Sequence, residues 1–476
     1  MIGVLLPSSC LGAVVNGAAL MVGKVPVNLN FTASKESIAS AIKQCEMKKI
    51  ITSRKFLSKV NIHEQEGMIF LEDLKEKISK KEKVLSVLNA LMMPMFLIKN
   101  IYVRGDKYNV NDMATVIFSS GSTGEPKGVM LSHANIFSNV EGFYQVGQVK
   151  RNDVVMGVLP FFHSFGFTAC MCFPLGTGLG VVYHPNPLDA STIGNLIQKY
   201  KATIIVGTPT FFSAYIRKCT KEQFSTLRLA VAGAEKFKEK VATDFTEKFG
   251  IVPFEGYGAT ELSPIVSMGV PDFENESGTI KQTGNKAGKV GQPIPGVVAK
   301  VVDPDTFELL ADDKEGLLLI KGANVMKGYL NNPQKTQEVL RDGWYITGDI
   351  ATIDKEGFIC ITDRLSRFSK IGGEMVPHVK VEEEILNVLN TSEPVCTVTS
   401  VSDEKKGEKL VVLYVGDINV DDIVKQLGER ALPNLWIPKK DCFFKIDEIP
   451  MLGSGKMDLK TIKAKAKELS EVKGAE

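Results

Sequence analysis

Hydroxyl-bearing residues and glycines are concentrated in one short stretch, "SSGSTGEPKG", at residues 119–128. The hydroxyls can donate hydrogen bonds, the glycines allow close approach to the backbone, and Lys127 adds a positive charge suited to phosphate oxygens. A Walker phosphate loop is excluded, because Pro126 lacks the backbone N–H and the free φ that such a loop needs. The stretch therefore predicts a different kind of phosphate-binding loop. Its candidate residues are Ser119, Ser120, Gly121, Ser122, Thr123, Gly124 and Lys127.

Four further polar stretches follow along the chain: "EGYGATE" (255–261), "YITGD" (345–349), "DRLSRFSKIGGE" (363–374) and "PMLGSGKMD" (450–458). The carboxylate of Glu261 suits a hard cation, which prefers oxygen ligands. Asp349 can accept charge-assisted hydrogen bonds from two neighbouring hydroxyls. Each motif alone is weak, since Asp is common in β-turns and a Lys in a glycine-rich turn is usually solvated.

Together and in this order, the motifs resemble those of the adenylate-forming superfamily, which comprises acyl-CoA synthetases, luciferases and adenylation domains. The resemblance implies ATP and Mg²⁺ as cofactors, with the loop at 119–128 holding phosphate oxygens. It assigns Tyr257 to stack on adenine, Thr260 to contact the α-phosphate and Glu261 to bind magnesium.

The same resemblance implies the remaining nucleotide contacts. Asp349 is expected to bind both ribose hydroxyls, Arg364 to contact ribose and phosphate, and Lys456 to reach into the site for the first half-reaction. The adenine pocket is expected to include Gly233, Ala234, Glu235, Gly256, Gly258 and Ala259. His163, in "LPFFHSFGF" (159–167), matches a position beside the acyl site, although a lone His among aromatic residues is more often packed in a core. The residues expected to act in catalysis are Lys456, Lys127, Thr123, Glu261 and His163.

The implied reaction has two halves. A carboxylate first attacks the α-phosphorus of ATP, giving an acyl-adenylate and pyrophosphate, and positioning and charge neutralisation supply the catalysis. A C-terminal domain then swings about a hinge, and a phosphopantetheine thiol attacks the adenylate. The hinge residue is Ser366, where the family usually has Asp or Lys, and the segment expected at the thiol tunnel contains Lys370, Gly372 and Gly373.

The stretch "RFSKIGGEMV" (367–376) resembles one branch in particular, the synthetase half of 2-acylglycerophosphoethanolamine acyltransferase/acyl-ACP synthetases. That branch implies transfer of a long-chain fatty acid to acyl carrier protein, in support of phospholipid acylation. A long-chain acyl-CoA synthetase is the alternative, and a lipid- or nucleotide-binding pseudoenzyme is the alternative of a different class. The chain starts inside the usual start of the adenylating domain, so either the first strands are dispensable or the recorded start is internal.

The composition limits the expected cellular location and the expected classes of binding partner. A net charge of +2 over 476 residues argues against a nucleic-acid partner. Eight scattered cysteines and only five histidines argue against zinc or haem and indicate a reducing, cytoplasmic location. The resemblance also leaves open a peripheral contact with the inner face of the membrane. Lysines near the C-terminus can form a basic patch for an acidic carrier protein: Lys439, Lys440, Lys460, Lys463 and Lys465.

The pattern of elements predicts an α/β fold. A large N-terminal domain of mainly parallel sheets includes a small β unit, and a mobile, small α+β C-terminal domain follows it. The expected boundaries are 1–287 for the AMP-binding core, 288–362 for the β-rich subdomain and 363–476 for the C-terminal domain. The apolar run Val84–Ile98, interrupted by Pro94, is too short to span a bilayer, and we expect a buried helix there rather than a membrane-surface helix.

Overall fold

The computed structural model describes the chain apart from residues 104–108, 120–125, 276, 280, 373, 392–394, 404–405, 431, 452–456 and 475–476. The side chains of Lys99, Tyr102, Ser366, Met375 and residues 472–474 also lie outside the description.

The chain opens with a strand–helix–strand unit at its apolar N-terminus. A four-stranded parallel sheet has the order Pro26–Asn28, Ile2–Val4, Ile50–Thr52 and Met68–Phe70. The connecting helices are Cys10–Met21, Lys35–Gln44 and Arg54–Val60, followed by Leu71–Lys77. The Ser9, Ser34 and Ser53 side chains cap the first three helices by accepting backbone N–H bonds.

A seven-stranded sheet forms the centre of the large domain. Its order is Gln292–Pro293, Ile265–Met268, Phe254–Gly258, Leu229–Ala232, Ile204–Gly207, Val154–Gly157 and Gly180–Tyr183. The last five are parallel, and the first two run antiparallel to their neighbours. The helices of this region are His133–Val146, Phe173–Thr177, Ala190–Tyr200, Pro209–Lys218 and Glu239–Phe249, with a π-helix at Gly166–Cys172. Parallel strands covered by helices match the predicted architecture.

Two antiparallel units flank this sheet. The strands Met113–Ser119 and Lys127–Ser132 form a hairpin around the hydroxyl-rich loop, and Gly328–Tyr329 pairs with its second strand. The other unit is a five-stranded sheet built from Val297–Val302, Gly316–Gly322, Trp344–Ile353, Leu340–Arg341 and Ile359–Arg364. This sheet corresponds to the small β unit expected within the large N-terminal domain. The helix Pro333–Val339 and the hairpin Phe273–Glu274/Lys281–Gln282 complete the region.

The C-terminal part has a sheet and hydrophobic clusters of its own. The sheet consists of Glu374–Pro377, Phe368–Ile371, Gly407–Tyr414, Cys396–Asp403 and Phe443–Lys445. The helices His378–Val388, Val420–Glu429 and Leu459–Gly474 belong to the same part of the chain. Apolar side chains from this region form two clusters separate from the main core. The α/β fold with a large N-terminal and a small C-terminal domain is therefore confirmed.

The expectation of a buried helix at Val84–Ile98 is wrong. The segment forms two helices, Lys80–Met92 and Met95–Tyr102, which break at Pro94 as predicted. The first helix has no buried residue, and its large apolar side chains are exposed. Helical periodicity reports which side chains share a face but not what that face meets, and no described element packs over this one. Among the described residues, no helix is long and apolar enough to cross a bilayer.

Candidate functional site

Asp349 lies where the antiparallel sheet meets the seven-stranded sheet. The strands Trp344–Ile353 and Ile359–Arg364 pair in a register that sets Asp349 opposite Arg364. Arg364 Nε lies 2.9 Å from Asp349 Oδ1, and Tyr257 Oη donates a short hydrogen bond to Asp349 Oδ2. Each oxygen of this buried carboxylate therefore has a donor.

The protonation states of this group follow from its surroundings. Burial first, and then the charge of Asp349, raises the pKa of Tyr257 well above its ordinary value, so the phenol stays protonated and donates. The charge of Asp349 is also the main cause that raises the pKa of Arg364. The result is a neutral phenol, a carboxylate and a guanidinium in one place. Such a carboxylate suits hydroxyl donors like those of a ribose, through charge-assisted hydrogen bonds.

Glu261 lies in a second group of polar residues. It belongs to the 3₁₀ turn Thr260–Leu262, which follows the strand Phe254–Gly258. Tyr329 Oη donates to Glu261 Oε1 at 2.8 Å, and Lys127 Nζ lies 5.5 Å from the centre of the Tyr329 ring. Burial is the main cause that lowers the pKa of Lys127, while the charge of Glu261 opposes that change. A carboxylate and a lysine ammonium are thus brought together beside the predicted phosphate loop.

The two polar groups are neighbours. The charge of Glu261 contributes, after that of Asp349, to the raised pKa of Arg364. Thr260 Oγ1 lies 3.3 Å from Ser164 Oγ, so the "EGYGATE" motif also meets the stretch that carries His163. Residues from separate motifs therefore converge at the carboxyl ends of parallel strands, the usual ligand position in an α/β sheet.

Glycines allow close backbone contacts at this edge. A Cβ atom on Gly258 would lie 2.0 Å from the carbonyl oxygen of Pro264, which no larger residue tolerates. A Cβ atom on Gly233 would lie 3.3 Å from both the Gly256 carbonyl oxygen and the Phe165 ring. The backbone packing at position 258 therefore leaves room only for glycine. Gly233 allows the end of the strand Leu229–Ala232 to lie close to Gly256 of the next strand.

Residues 234–236, at the predicted adenine pocket, are exposed and contact two other elements. Ala234 has a φ of +70°, in the left-handed region. Glu235 accepts a hydrogen bond from Thr210 Oγ1 at 2.6 Å. Lys236 Nζ lies 2.5 Å from Glu383 Oε1, which belongs to the C-terminal helix His378–Val388. The C-terminal domain therefore contacts the predicted adenine wall.

The donor set fits a magnesium ion that arrives with its nucleotide. Within the described residues, no group of three or more His, Cys, Asp or Glu side chains could hold a metal ion. Mg²⁺ usually keeps several waters and binds through one or two carboxylates together with phosphate oxygens. Glu261 can supply one such carboxylate, because the Tyr329 hydroxyl occupies only one of its oxygens among the described contacts.

Several predicted residues lie outside this cluster or outside the description. Ser120, Gly121, Ser122, Thr123, Gly124, Gly373 and Lys456 are among the residues that the structure does not describe. Ser119 and Lys127 are cross-strand partners at the base of the loop. His163 is exposed rather than packed in a core, and its ring centroid lies 4.6 Å from that of Phe162.

The hinge residue Ser366 lies two residues after Arg364, and the described tunnel residues Lys370 and Gly372 follow it. The backbone of Ser366 is in the 3₁₀ turn Leu365–Arg367. Lys370 Nζ pairs with Asp305 Oδ2 at 2.6 Å, and Gly372 has a φ of +59°. The predicted role of this segment at a thiol tunnel stays a prediction.

The sequence motifs did not predict that Tyr329 contacts Glu261 or that Thr347 orients Asp349. Tyr329 donates to Glu261 across 68 residues of sequence, and the Thr347 hydroxyl accepts from the Asp349 backbone N–H at 3.0 Å. Thr347 lies within "YITGD", so its neighbour Asp349 was the signal for it. A single Tyr far along the chain offers no spacing that links it to Glu261.

The sequence matches a family model and curated relatives. The family model described as "AMP-binding enzyme" matches residues 1–330. The chain is 32% identical over 356 residues to a long-chain-fatty-acid–CoA ligase of Bacillus subtilis (strain 168), which covers 73% of this chain and 60% of the relative. It is 35% identical over 364 residues to a probable 4-coumarate–CoA ligase 1 of Dictyostelium discoideum, covering 74% of this chain and 63% of the relative.

A solved structure shows the same fold over most of the chain. ATP-bound MatB from Rhodopseudomonas palustris aligns with a TM-score of 0.77 at 24% identity, covering 98% of this chain and 89% of that one. The matched segment spans only 60–63% of the length of the curated relatives named above. Because the family match covers more than half of the sequence, the chain belongs to the AMP-binding enzyme family, as the order of its motifs predicts.

Proposed function

We propose that this chain is an AMP-forming acid–thiol ligase that activates a long-chain fatty acid with ATP. The observation that carries the proposal is the convergence of the Tyr257–Asp349–Arg364 group with Glu261 and Lys127 beside the hydroxyl-rich loop. A buried carboxylate for a diol, next to a carboxylate and an ammonium for a phosphate–cation pair, suits a nucleoside triphosphate. The long-chain-fatty-acid–CoA ligase relative supports the class of acid.

In the proposed first step, the residues of this chain position and neutralise charge. Asp349 orients the ribose, Lys127 and the loop hold phosphate oxygens, and Glu261 contributes a ligand to magnesium. The bound cation supplies charge neutralisation at the phosphates. Lys456, which lies outside the described residues, is proposed to add a further positive charge. His163, exposed beside Ser164, is proposed to border the acyl pocket.

The proposed second step transfers the acyl group to a phosphopantetheine thiol. The "RFSKIGGEMV" resemblance favours acyl carrier protein as the acceptor, with transfer feeding phospholipid acylation at the inner face of the membrane. The printed names of the curated relatives favour CoA, which makes a long-chain acyl-CoA ligase the second candidate. In both cases we propose a domain boundary near Asp363 and a swing about Ser366, with the remaining boundary near residue 288.

Fatty-acid-dependent exchange of labelled pyrophosphate into ATP tests the first step. The wild-type chain is expected to exchange, and Lys456→Ala is expected to lose about 10²- to 10³-fold in rate, by analogy with the loss of an oxyanion donor. A wild-type chain that binds ATP and fatty acid without exchange is a binding protein, and the proposed function then fails. Normal exchange in Lys456→Ala would remove Lys456 from the mechanism.

Competition between holo-acyl carrier protein and CoA tests the second step. Both acceptors are offered at equal concentration to the wild-type chain with ATP and oleate, and the two thioester products are measured. We expect acyl-ACP to be the main product. A predominance of oleoyl-CoA would select the second candidate and leave the first step unaffected.

A further inference from the structure

The consecutive helices Lys80–Met92 and Met95–Tyr102, termed the hairpin below, carry more than a third of the exposed large apolar side chains among the described residues. Of the 28 exposed large apolar residues among those the structure describes, ten lie between Val84 and Ile101. Leu91 is 79% exposed, Met92 77% and Met95 76%. Exposed apolar residues normally occur singly, so a continuous set of this kind marks a surface that meets something apolar.

The first helix of the hairpin is amphipathic. At 100° per residue, the apolar side chains of Lys80–Met92 occupy an arc of about 160°. The apolar residues are Val84, Leu85, Val87, Leu88, Leu91 and Met92. The opposite arc carries Glu82, Lys83, Ser86 and Asn89. One side of the helix is thus apolar, and no residue of the helix is buried.

The helix is stabilised without help from the core. Ser79 accepts from the Glu82 backbone N–H at 3.2 Å, and the Glu82 carboxylate accepts from the Ser79 backbone N–H at 2.7 Å. This capping box satisfies two backbone donors at the exposed N-terminus. The N-terminus of the helix is thus capped locally. The apolar face of the helix stays exposed and can contact an apolar phase outside the protein.

Charge indicates what that phase is. Residues 75–103 carry six lysines and two glutamates, a net charge of +4 in a chain whose total is +2. Lys80, Lys81 and Lys83 occupy the first turn of the helix, where the helix dipole disfavours positive charge. Lysines at the end of an apolar helix face can extend their ammonium groups to phosphate headgroups while their methylenes cover apolar surface.

We propose that the hairpin docks this protein on an anionic lipid bilayer, with the apolar arc of Lys80–Met92 and the tip around Met95 and Phe96 at the level of the acyl chains. Exposed apolar residues occur on both helices, before and after Pro94, which suits immersion in a fluid phase better than contact with one rigid protein groove. A second copy of the chain would bring another charge of +4 to the interface. The inference goes beyond the proposed function and does not depend on the chemistry of the active site.

Co-sedimentation with vesicles tests the docking. The full chain is mixed with vesicles of phosphatidylglycerol and phosphatidylethanolamine, or of phosphatidylcholine alone. The wild-type chain is expected to bind the anionic vesicles and to release them as salt increases. Leu91→Asp is expected to weaken this binding about 10- to 100-fold, because one buried leucine side chain contributes that much. Lys80→Glu/Lys81→Glu is expected to bind the anionic vesicles more weakly than the wild type.

Leu309→Asp is the matched control, because Leu309 is 71% exposed and lies on another part of the surface. It is expected to bind anionic vesicles like the wild type. The proposal is overturned if the wild type binds no anionic vesicles, if Leu91→Asp and Leu309→Asp bind alike, or if gel filtration shows that the hairpin instead joins two copies. Equal binding to phosphatidylcholine vesicles would overturn the role of the lysines. Vesicle binding by a chain without pyrophosphate exchange would reject only the proposed function.

Discussion

Two arginines on either side of the proposed hinge residue have opposite surroundings. Arg364 has a largely exposed side chain and pairs with Asp349 in the large domain. Arg367, three residues later, is mostly buried and pairs with Glu382 in the helix His378–Val388 of the C-terminal part. The peptide between them is the 3₁₀ turn Leu365–Arg367. One arginine therefore contacts the ligand edge of the large domain, while the other anchors the chain within the small domain.

The surroundings of the two carboxylates explain the difference. Asp349 accepts from one phenol and one guanidinium, both of which a bound nucleotide could replace or join. Glu382 also accepts from the Thr397 hydroxyl at 3.0 Å and from the Val398 backbone N–H at 2.7 Å. A carboxylate with several buried donors is a fixed structural group. The arginine at the proposed nucleotide site, Arg364, thus stays accessible to a ligand. Arg367, which anchors the chain in the small domain, is shielded from water.

The largest expected effect comes from removing the anchor. Arg367→Ala leaves Glu382 buried without its guanidinium and is expected to destabilise the C-terminal part by about 3–5 kcal/mol. The measurement is urea unfolding followed by the fluorescence of Trp436, which packs on the core of this domain, in a Trp344→Phe background.

Lys370→Ala is the control for that experiment. Lys370 pairs with Asp305 on the surface, with both side chains more than half exposed, so its loss is expected to cost at most about 1 kcal/mol. Equal destabilisation by Arg367→Ala and Lys370→Ala would show that the buried pair is not an anchor. Arg367→Met combined with Glu382→Gln is expected to recover part of the stability, because no buried charge is then left unpaired.

The accessible arginine is expected to matter for catalysis rather than for stability. Arg364→Ala should lower the rate of pyrophosphate exchange by about 10²- to 10³-fold, since one charged contact to the ligand is lost. Arg364→Lys keeps the charge but not the Nε donor that faces Asp349, and it is expected to recover only part of the rate. The unfolding midpoint of both variants should fall less than that of Arg367→Ala, because the Arg364 side chain is largely exposed and Tyr257 still donates to Asp349. A large loss of stability with normal exchange would reverse the roles assigned to the two arginines.

The sequence indicated the residues of the candidate site more readily than the strand pairings and contacts that hold them. The strands before each motif were predictable, because short Val- and Ile-rich runs bounded by glycines are typical of buried parallel strands. That Asp349 and Arg364 are cross-strand partners was not, since a separation of 15 residues does not fix a β register. Tyr329 reaches Glu261 only through the pairing of Gly328–Tyr329 with the loop hairpin, a contact that linear order does not contain.

The sequence predicted neither the exposure of the helix Lys80–Met92 nor the burial of the Arg367–Glu382 pair, and the reasons are related. An apolar period of helical spacing is the same for a helix that faces a core and for one that faces outward, and only the absence of a covering element distinguishes them. Arg367 was read as part of a motif, but its role depends on the burial of Glu382, which follows from how the C-terminal helix packs on its sheet.

The smallest expected effect, when measured over a single pH unit, is a pH dependence near the anchor. His378 is buried, and its Nε2 lies 2.5 Å from Ser369 Oγ. Burial first, and then the charges of Arg367 and Lys463, lowers the pKa of His378 to about 3. The folded state therefore binds fewer protons than the unfolded state between about pH 3 and 6.5, so this residue stabilises the fold fully above pH 6.5 and loses that contribution on acidification, by about 1.4 kcal/mol per pH unit.

Replacing His378 by Gln isolates the contribution of His378 to the pH dependence of the unfolding free energy. Burial raises the pKa of Asp363 to about 6, which gives an opposite trend between about pH 4 and 6, so the wild-type curve alone is ambiguous. Because Asp363 is present in both proteins, the difference in unfolding free energy between wild type and His378→Gln should report on His378 alone. That difference is expected to shrink steadily from pH 6.5 to pH 4 when followed at Trp436. A constant difference would mean that His378 takes up its proton without unfolding the domain, and that the buried side of the hinge tolerates a second positive charge beside Arg367.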